Sequence, residues 1–142
     1  MLNILSRLGF FFYWIFDNLQ ILAKVKFLEG VDKEKAGKRA AFFWLLGLLF
    51  SIAVTVIAIV ETSREEAALA GVEAADRRKA IAKRKVENTL NLLKNLGDMV
   101  TASQALGLPK QLFGFDFSDG QVGFGGLLSA VITCYQLYPE KK

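Results

Sequence analysis

Residues 40–60 read AAFFWLLGLLFSIAVTVIAIV, with no charge between Arg39 and Glu61. As a helix these residues rise about 1.5 Å each, roughly 31 Å in all, the thickness of a bilayer core. A chain of 142 residues offers little protein in which to hide such a helix, so the run reads as a transmembrane span. The composition agrees. Ala, Val, Ile, Leu, Met, Phe, Trp, Tyr and Cys make up 53% of the chain, and mean hydropathy is +0.33. With glycine counted, the apolar share is about 61%, against about 45–50% in soluble domains. That much apolar surface excludes a disordered chain. A single cysteine, Cys134, excludes a disulfide scaffold, and the absence of histidine excludes imidazole triads, histidine metal sites and histidine pH switches.

Two further apolar stretches flank the span. Residues 120–138, GQVGFGGLLSAVITCYQLY, are free of charge and read as a second transmembrane helix. Gly107 and Pro109 close the preceding helix, and Ser118 followed by Gln121 forms a capping box that opens the new one. Residues 8–28 form an apolar helix with a polar stripe. Tyr13, Asp17, Gln20 and Lys24 fall within about 60° of one another at helical periodicity. Such a stripe faces a partner helix, lines a wet path, or rides on the membrane surface. Eleven of the seventeen aromatic residues lie in 10–50 and none in 51–112, which places interfacial belts at Phe10–Trp14 and Phe42–Trp44. Asp17, Asn18 and Lys24 interrupt the first stretch where a signal peptide would stay apolar.

Residues 62–106 change character. Thr62 or Ser63 with Glu65 or Glu66 offers capping boxes for a helix that is polar to about Lys85 and amphipathic beyond. Ile81, Leu92, Leu93, Leu96, Met99 and Val100 share one arc, which marks 81–106 as a membrane-interface helix. The basic run Arg77, Arg78, Lys79, Lys83, Arg84 and Lys85 precedes it and suits an anionic lipid surface. A solvated face packed on neighbouring helices is the equal alternative. The run has no interleaved aromatics, which argues against nucleic acid.

No catalytic, metal or cofactor constellation emerges. Cys134 lies in an apolar run, Asp116 and Asp119 flank a turn, and the glycines at 120–126 lack the lysine of a phosphate loop. The small residues point instead to helix packing. Gly47, Ser51, Thr55 and Ala58 share one face of the first span, and Gly123, Gly126, Ala130 and Cys134 share one face of the second.

Three stretches carry a family resemblance: RLGFFFYWIFDNLQILAKVKFL (7–28), KRAAFFWLLGLLFSI (38–52) and NLGDMVTASQALGLPKQLFGFDFSDGQVGFGGLLSAVITCYQLYP (95–139). Together they resemble the peroxin-11 family of peroxisomal membrane proteins. The resemblance implies an integral peroxisomal membrane protein, not an enzyme, that elongates the organelle membrane before fission. It also implies homo-oligomers, contact with dynamin-like fission machinery and, in some members, channels for small metabolites. Family members carry amphipathic helices ahead of the Phe-rich helix. The sequence here begins almost at that helix, which leaves 81–106 as the expected surface wedge.

The expected architecture is all-α: an integral membrane bundle whose spans, 40–60 and 120–138, meet through their small-residue faces, with a long polar and amphipathic helix between them. The function expected is membrane shaping through oligomers and helix insertion into lipid. The alternative is an oligomeric channel lined by Tyr13, Asp17, Gln20 and Lys24. A third reading makes the polar segment 61–85 an adaptor for cytosolic proteins. Six basic residues in 24–39 against four in 64–79 place the first flank in the cytosol and 61–119 in the lumen.

Overall fold

The computed structural model describes residues 1–69 and 75–138, which form five helices and no strand. In order they are α1 (Leu2–Lys24), α2 (Lys33–Ala68), α3 (Ala75–Ala105), α4 (Leu108–Phe113) and α5 (Asp119–Leu137). The protein is all-α. Residues 70–74 of the expected 62–106 helix, and Pro139 at the end of the third family-like stretch, lie outside the described residues.

Each start and stop has a local cause. Asp32 caps α2 by accepting from the backbone N–H groups of Glu34 (3.0 Å) and Lys35 (3.1 Å). The bond from the Lys35 N–H, above all, holds its carboxyl below the usual carboxylate range. Gly107 (φ 66°) and Gly114 (φ 77°) bracket α4 in the left-handed region, where a side chain is strained. The expected box at Ser118 is formed. Its Oγ accepts from Gln121 N–H at 3.3 Å, and the Gln121 side chain accepts from Ser118 N–H at 2.9 Å.

The box expected at Thr62 and Ser63 does not form. α2 runs straight through to Ala68, and the Thr62 hydroxyl bonds back to the Ala58 carbonyl at 2.6 Å within the helix. The strong helix formers Arg64, Glu65, Glu66, Ala67 and Ala68 carry the apolar helix past Thr62 and Ser63, so no boundary is needed there.

The long helices alternate in direction. Gly9 meets Gly47, and Gln20 lies over Gly37, so α1 and α2 are antiparallel. Arg84 pairs with Glu65 (2.8 Å), Lys85 with Glu66 (2.7 Å), and Asn95 donates to Ser51 Oγ (2.9 Å), so α3 runs back along α2. Gly97 meets Gly125, and Gln136 donates to Asn91 (3.1 Å), so α5 reverses again. Direct packing joins α1 to α2, α2 to α3, and α3 to α4 and α5.

This order corrects two expectations. Helices α2 and α5 are not brought together by their small faces, because α3 lies between them. Residues 61–69 and 75–85 also lie at the opposite end of the bundle from 105–119, so they cannot share one side of a spanning α2. Ala105 lines the same groove as Gly37, Lys38, Ala40 and Ala41, at the start of the charge-free run.

Candidate functional site

The surface is the feature that distinguishes this bundle. Among the described residues, seven hydrophobic side chains are buried, four of them alanines, whereas twenty-eight large hydrophobic ones are exposed. Phe11, Trp14 and Ile15 on α1, Val56, Ile57 and Val60 on α2, and Leu127 and Val131 on α5 all point outward. Inside lie small and polar groups: Ser6, Thr55, Thr62, Asn95 and Ser129, with Gly9, Gly47, Gly97 and Gly125. A soluble protein arranges these the other way round. One helix among the described residues, α2, is long and apolar enough to cross a membrane by length and composition; α5 does not reach that mark.

Close approach of backbones builds the interior. A Cβ placed on Gly9 would stand 2.7 Å from the Gly47 Cα, and the Ser6 hydroxyl bonds the Gly47 carbonyl at 3.0 Å. Around this crossing the aromatic clusters interlock. Phe16 stacks on Phe43 at 5.6 Å, Tyr13 stacks on Trp44 at 5.3 Å, and the Arg39 guanidinium sits 5.6 Å over the Phe16 ring. Phe43 and Trp44 therefore pack α1 to α2 in addition to lying near the start of the charge-free run.

Of the first small-residue face, Gly47 meets α1 and Ser51 meets α3. Thr55 is buried and bonds back to the Ser51 carbonyl at 2.8 Å, and Ala58 is half-buried. Among the described residues the second face takes no part in helix packing. Gly123 and Gly126 would accept a Cβ into open space, and Ala130 and Cys134 are exposed. The α5 face that packs is Gly125, Ser129 and Ile132, one helical register away. Both registers hold small residues at helical spacing, and periodicity alone does not choose between them.

Helix α3 is a member of the bundle, packed between α2 and α5. Its seam is polar or small: Asn95 is 5% exposed, with Gly97 and Ala102 buried beside it. Leu93 (42%) and Leu96 (44%) face outward, Leu92, Met99 and Val100 are half-buried, and Ile81 is buried. The basic run sits at the hairpin end. Arg84 and Lys85 are in the ion pairs with α2, Arg78 donates to the Leu69 carbonyl (3.2 Å), and Arg77 and Lys79 are exposed. Lys83 lines a groove with Val86, Glu87, Tyr135 and Tyr138. The polar stripe of α1 faces the start of α2. Tyr13, Asp17 and Gln20 line a groove of about 400 Å³ with Glu34 and Lys38, while Lys24 is exposed at the helix end.

Sequence reasoning missed Ser6, Gly9, Asn95, Gly97 and Gly125. A signal existed for the first two, since Ser6 and Gly9 are the small residues on one face of an otherwise bulky helix.

A bundle with this inverted surface matches a known family over nearly all its length. The profile of peroxisomal biogenesis factor 11 (PEX11) covers residues 1–138. The chain belongs to the PEX11 family. The peroxisomal membrane protein 11 homolog of Dictyostelium discoideum is 28% identical over 167 aligned positions, which take in 98% of this chain. The chain spans 63% of the length of that relative. No solved structure matches. PEX11 membership places the chain among peroxisomal biogenesis factors, and the Phe-rich helix, the charge-free run 40–60 and the block from Asn95 to the end of α5 all fall within the matched PEX11 region.

Proposed function

We propose that this chain is an integral protein of the peroxisomal membrane that shapes it, promoting elongation, proliferation and fission of the organelle. The observation that carries the reading is the inverted surface: apolar side chains outward, glycine and polar seams inward. Lipid is the solvent such a surface fits, because apolar side chains then stay out of water while buried polar groups bond one another. In this reading α2 spans the bilayer and α3 and α5 run beside it. The open α5 face with Gly123, Gly126 and Ala130 is where a second copy would pack, and oligomers would hold a curved patch ahead of a dynamin-like fission step.

The test is reconstitution of the purified chain into vesicles of phosphatidylcholine and phosphatidylethanolamine, imaged by electron cryomicroscopy. Narrow tubules are expected, and they should be lost with Gly9→Leu, which forces α1 off α2. Integrated protein in vesicles that stay round refutes the shaping role. A channel draws on a separate observation, the groove holding Tyr13, Asp17 and Gln20. Ion conductance across the same vesicles that Asp17→Asn alters would favour it.

A further inference from the structure

The connection between α3 and α5 is built as a rigid apolar knob. α4 has one and a half turns, with a glycine at positive φ at each end and the buried ring of Pro109 in its first turn. The return to α5 is tied down on one side. Gln104 accepts from the Phe117 N–H (3.0 Å) and donates to Asp116 (3.4 Å), and Asp116 lies 3.6 Å from the Lys110 ammonium. On the other side stand Leu112 (68% exposed), Phe113 (73% exposed) and Phe115. Phe113 stacks on Phe115 at 6.0 Å, and Phe115 meets Phe117 edge-on at 5.5 Å. Phe113 and Phe115 are thus held together, and with Leu112 they stand exposed among the described residues.

The height of the knob in the bundle says what covers it. Ala105, at the end of α3, shares a groove with Gly37, Lys38, Ala40 and Ala41. α4 begins three residues later, so it lies level with Arg39 and Ala40, where the charge-free run of α2 begins. At that height a bilayer presents its headgroup and upper acyl region, which favours aromatic side chains. The polar ties of Lys110 and Asp116, with Gln104 at the end of α3, give the segment a wet side as well as a greasy one.

We propose that the 108–117 segment is a shallow membrane-inserting element, with Leu112, Phe113 and Phe115 seated among lipid headgroups and upper acyl chains. It takes the wedge role that sequence reasoning assigned to 81–106. The inference rests on the reading that α2 spans the membrane, and the experiment separates the two.

In a Trp14→Phe, Trp44→Phe background, Phe113→Trp supplies a single fluorescent reporter; Phe115→Trp is a second, should the first fail to fold. Gln111→Trp, about 200° around the helix from Phe113, is the comparison. Each is reconstituted into phosphatidylcholine vesicles carrying a nitroxide either high or low on the acyl chain. The 113 reporter should emit to the blue and be quenched about twofold more by the high label than by the low one. It should resist aqueous iodide, whereas the 111 reporter should not. Solvent-like emission quenched by iodide from carbonate-resistant protein overturns the inference and leaves the spanning reading intact. Shielding without nitroxide quenching that grows with the protein-to-lipid ratio also overturns it, since a second copy is then the cover. Release of the protein by alkaline carbonate overturns both.

Discussion

Gly125 and Gly126 are neighbours in α5 and meet opposite surroundings. A Cβ on Gly125 would stand 2.7 Å from the Gly97 carbonyl oxygen and 3.4 Å from the Val100 Cβ. A Cβ on Gly126 meets nothing within 4 Å. Gly126→Ala should therefore give only the gain in helix propensity, up to about 1 kcal/mol. Gly125→Ala has the same gain set against overpacking, which costs about 1–3 kcal/mol when the obstacle is backbone and cannot rotate away. The difference between the two variants isolates the packing and should be about 1–3 kcal/mol, with Gly126→Ala the more stable. Gly97→Ala should match Gly125→Ala, because its Cβ would stand 2.6 Å from the Gly125 carbonyl oxygen. Reversible unfolding in mild detergent micelles, followed by loss of helical circular dichroism, measures it. Equal stability of the 125 and 126 variants, or the reverse order, would refute the α3–α5 crossing and with it the choice of register on α5.

Three further outcomes follow from the other contacts. Asn95→Ala and Ser51→Ala should show a coupling of about 0.5–2 kcal/mol in a double-mutant cycle, and simple additivity would mean that their hydrogen bond contributes nothing. Glu65→Gln with Glu66→Gln should cost under about 1 kcal/mol per pair and vanish in high salt, since both ion pairs are about half exposed. Asp32 has a carboxyl pKa lowered in the folded state, so its contribution is present above the unfolded value and fades as pH falls through the folded one. Asp32→Ala should lower the melting temperature at neutral pH and by less in acid, whereas Asp32→Asn keeps the cap and loses only the pH dependence; identical pH profiles for all three proteins would remove the charge from the account.

The helices were largely legible because apolar runs and caps are local. The apolar run of α2, the start of α5 at Ser118 and the break at Gly107 all rest on residues within a few positions of one another. The boundary at Thr62 was misread because a capping box is only an offer, and the Ala- and Glu-rich sequence beyond it continues the helix without penalty. The pairing of helices was less legible. α5 carries small residues in two registers, 123/126/130/134 and 125/129, and the position of Gly97 on α3 selects between them. The packing of helix α3 was hard to read for a related reason. Amphipathicity signals two environments, and it does not say which neighbouring helices take the inner seam at Asn95, Gly97 and Ala102. The partners of Asn95, on α2, and of Gln136, on α3, lie 44 and 45 residues away and leave no local trace.

The serial packing of α1 on α2, α2 on α3, and α3 on α5 has a consequence for how the protein is made. Every helix docks on one that precedes it closely in the chain, so each contact can close as soon as the next helix emerges from synthesis. Contacts between helices close in chain order favour fast assembly, even though single partners such as Asn95 and Ser51 stand 44 residues apart. Insertion can then proceed hairpin by hairpin, and truncation after α4 should leave the earlier pairs assembled.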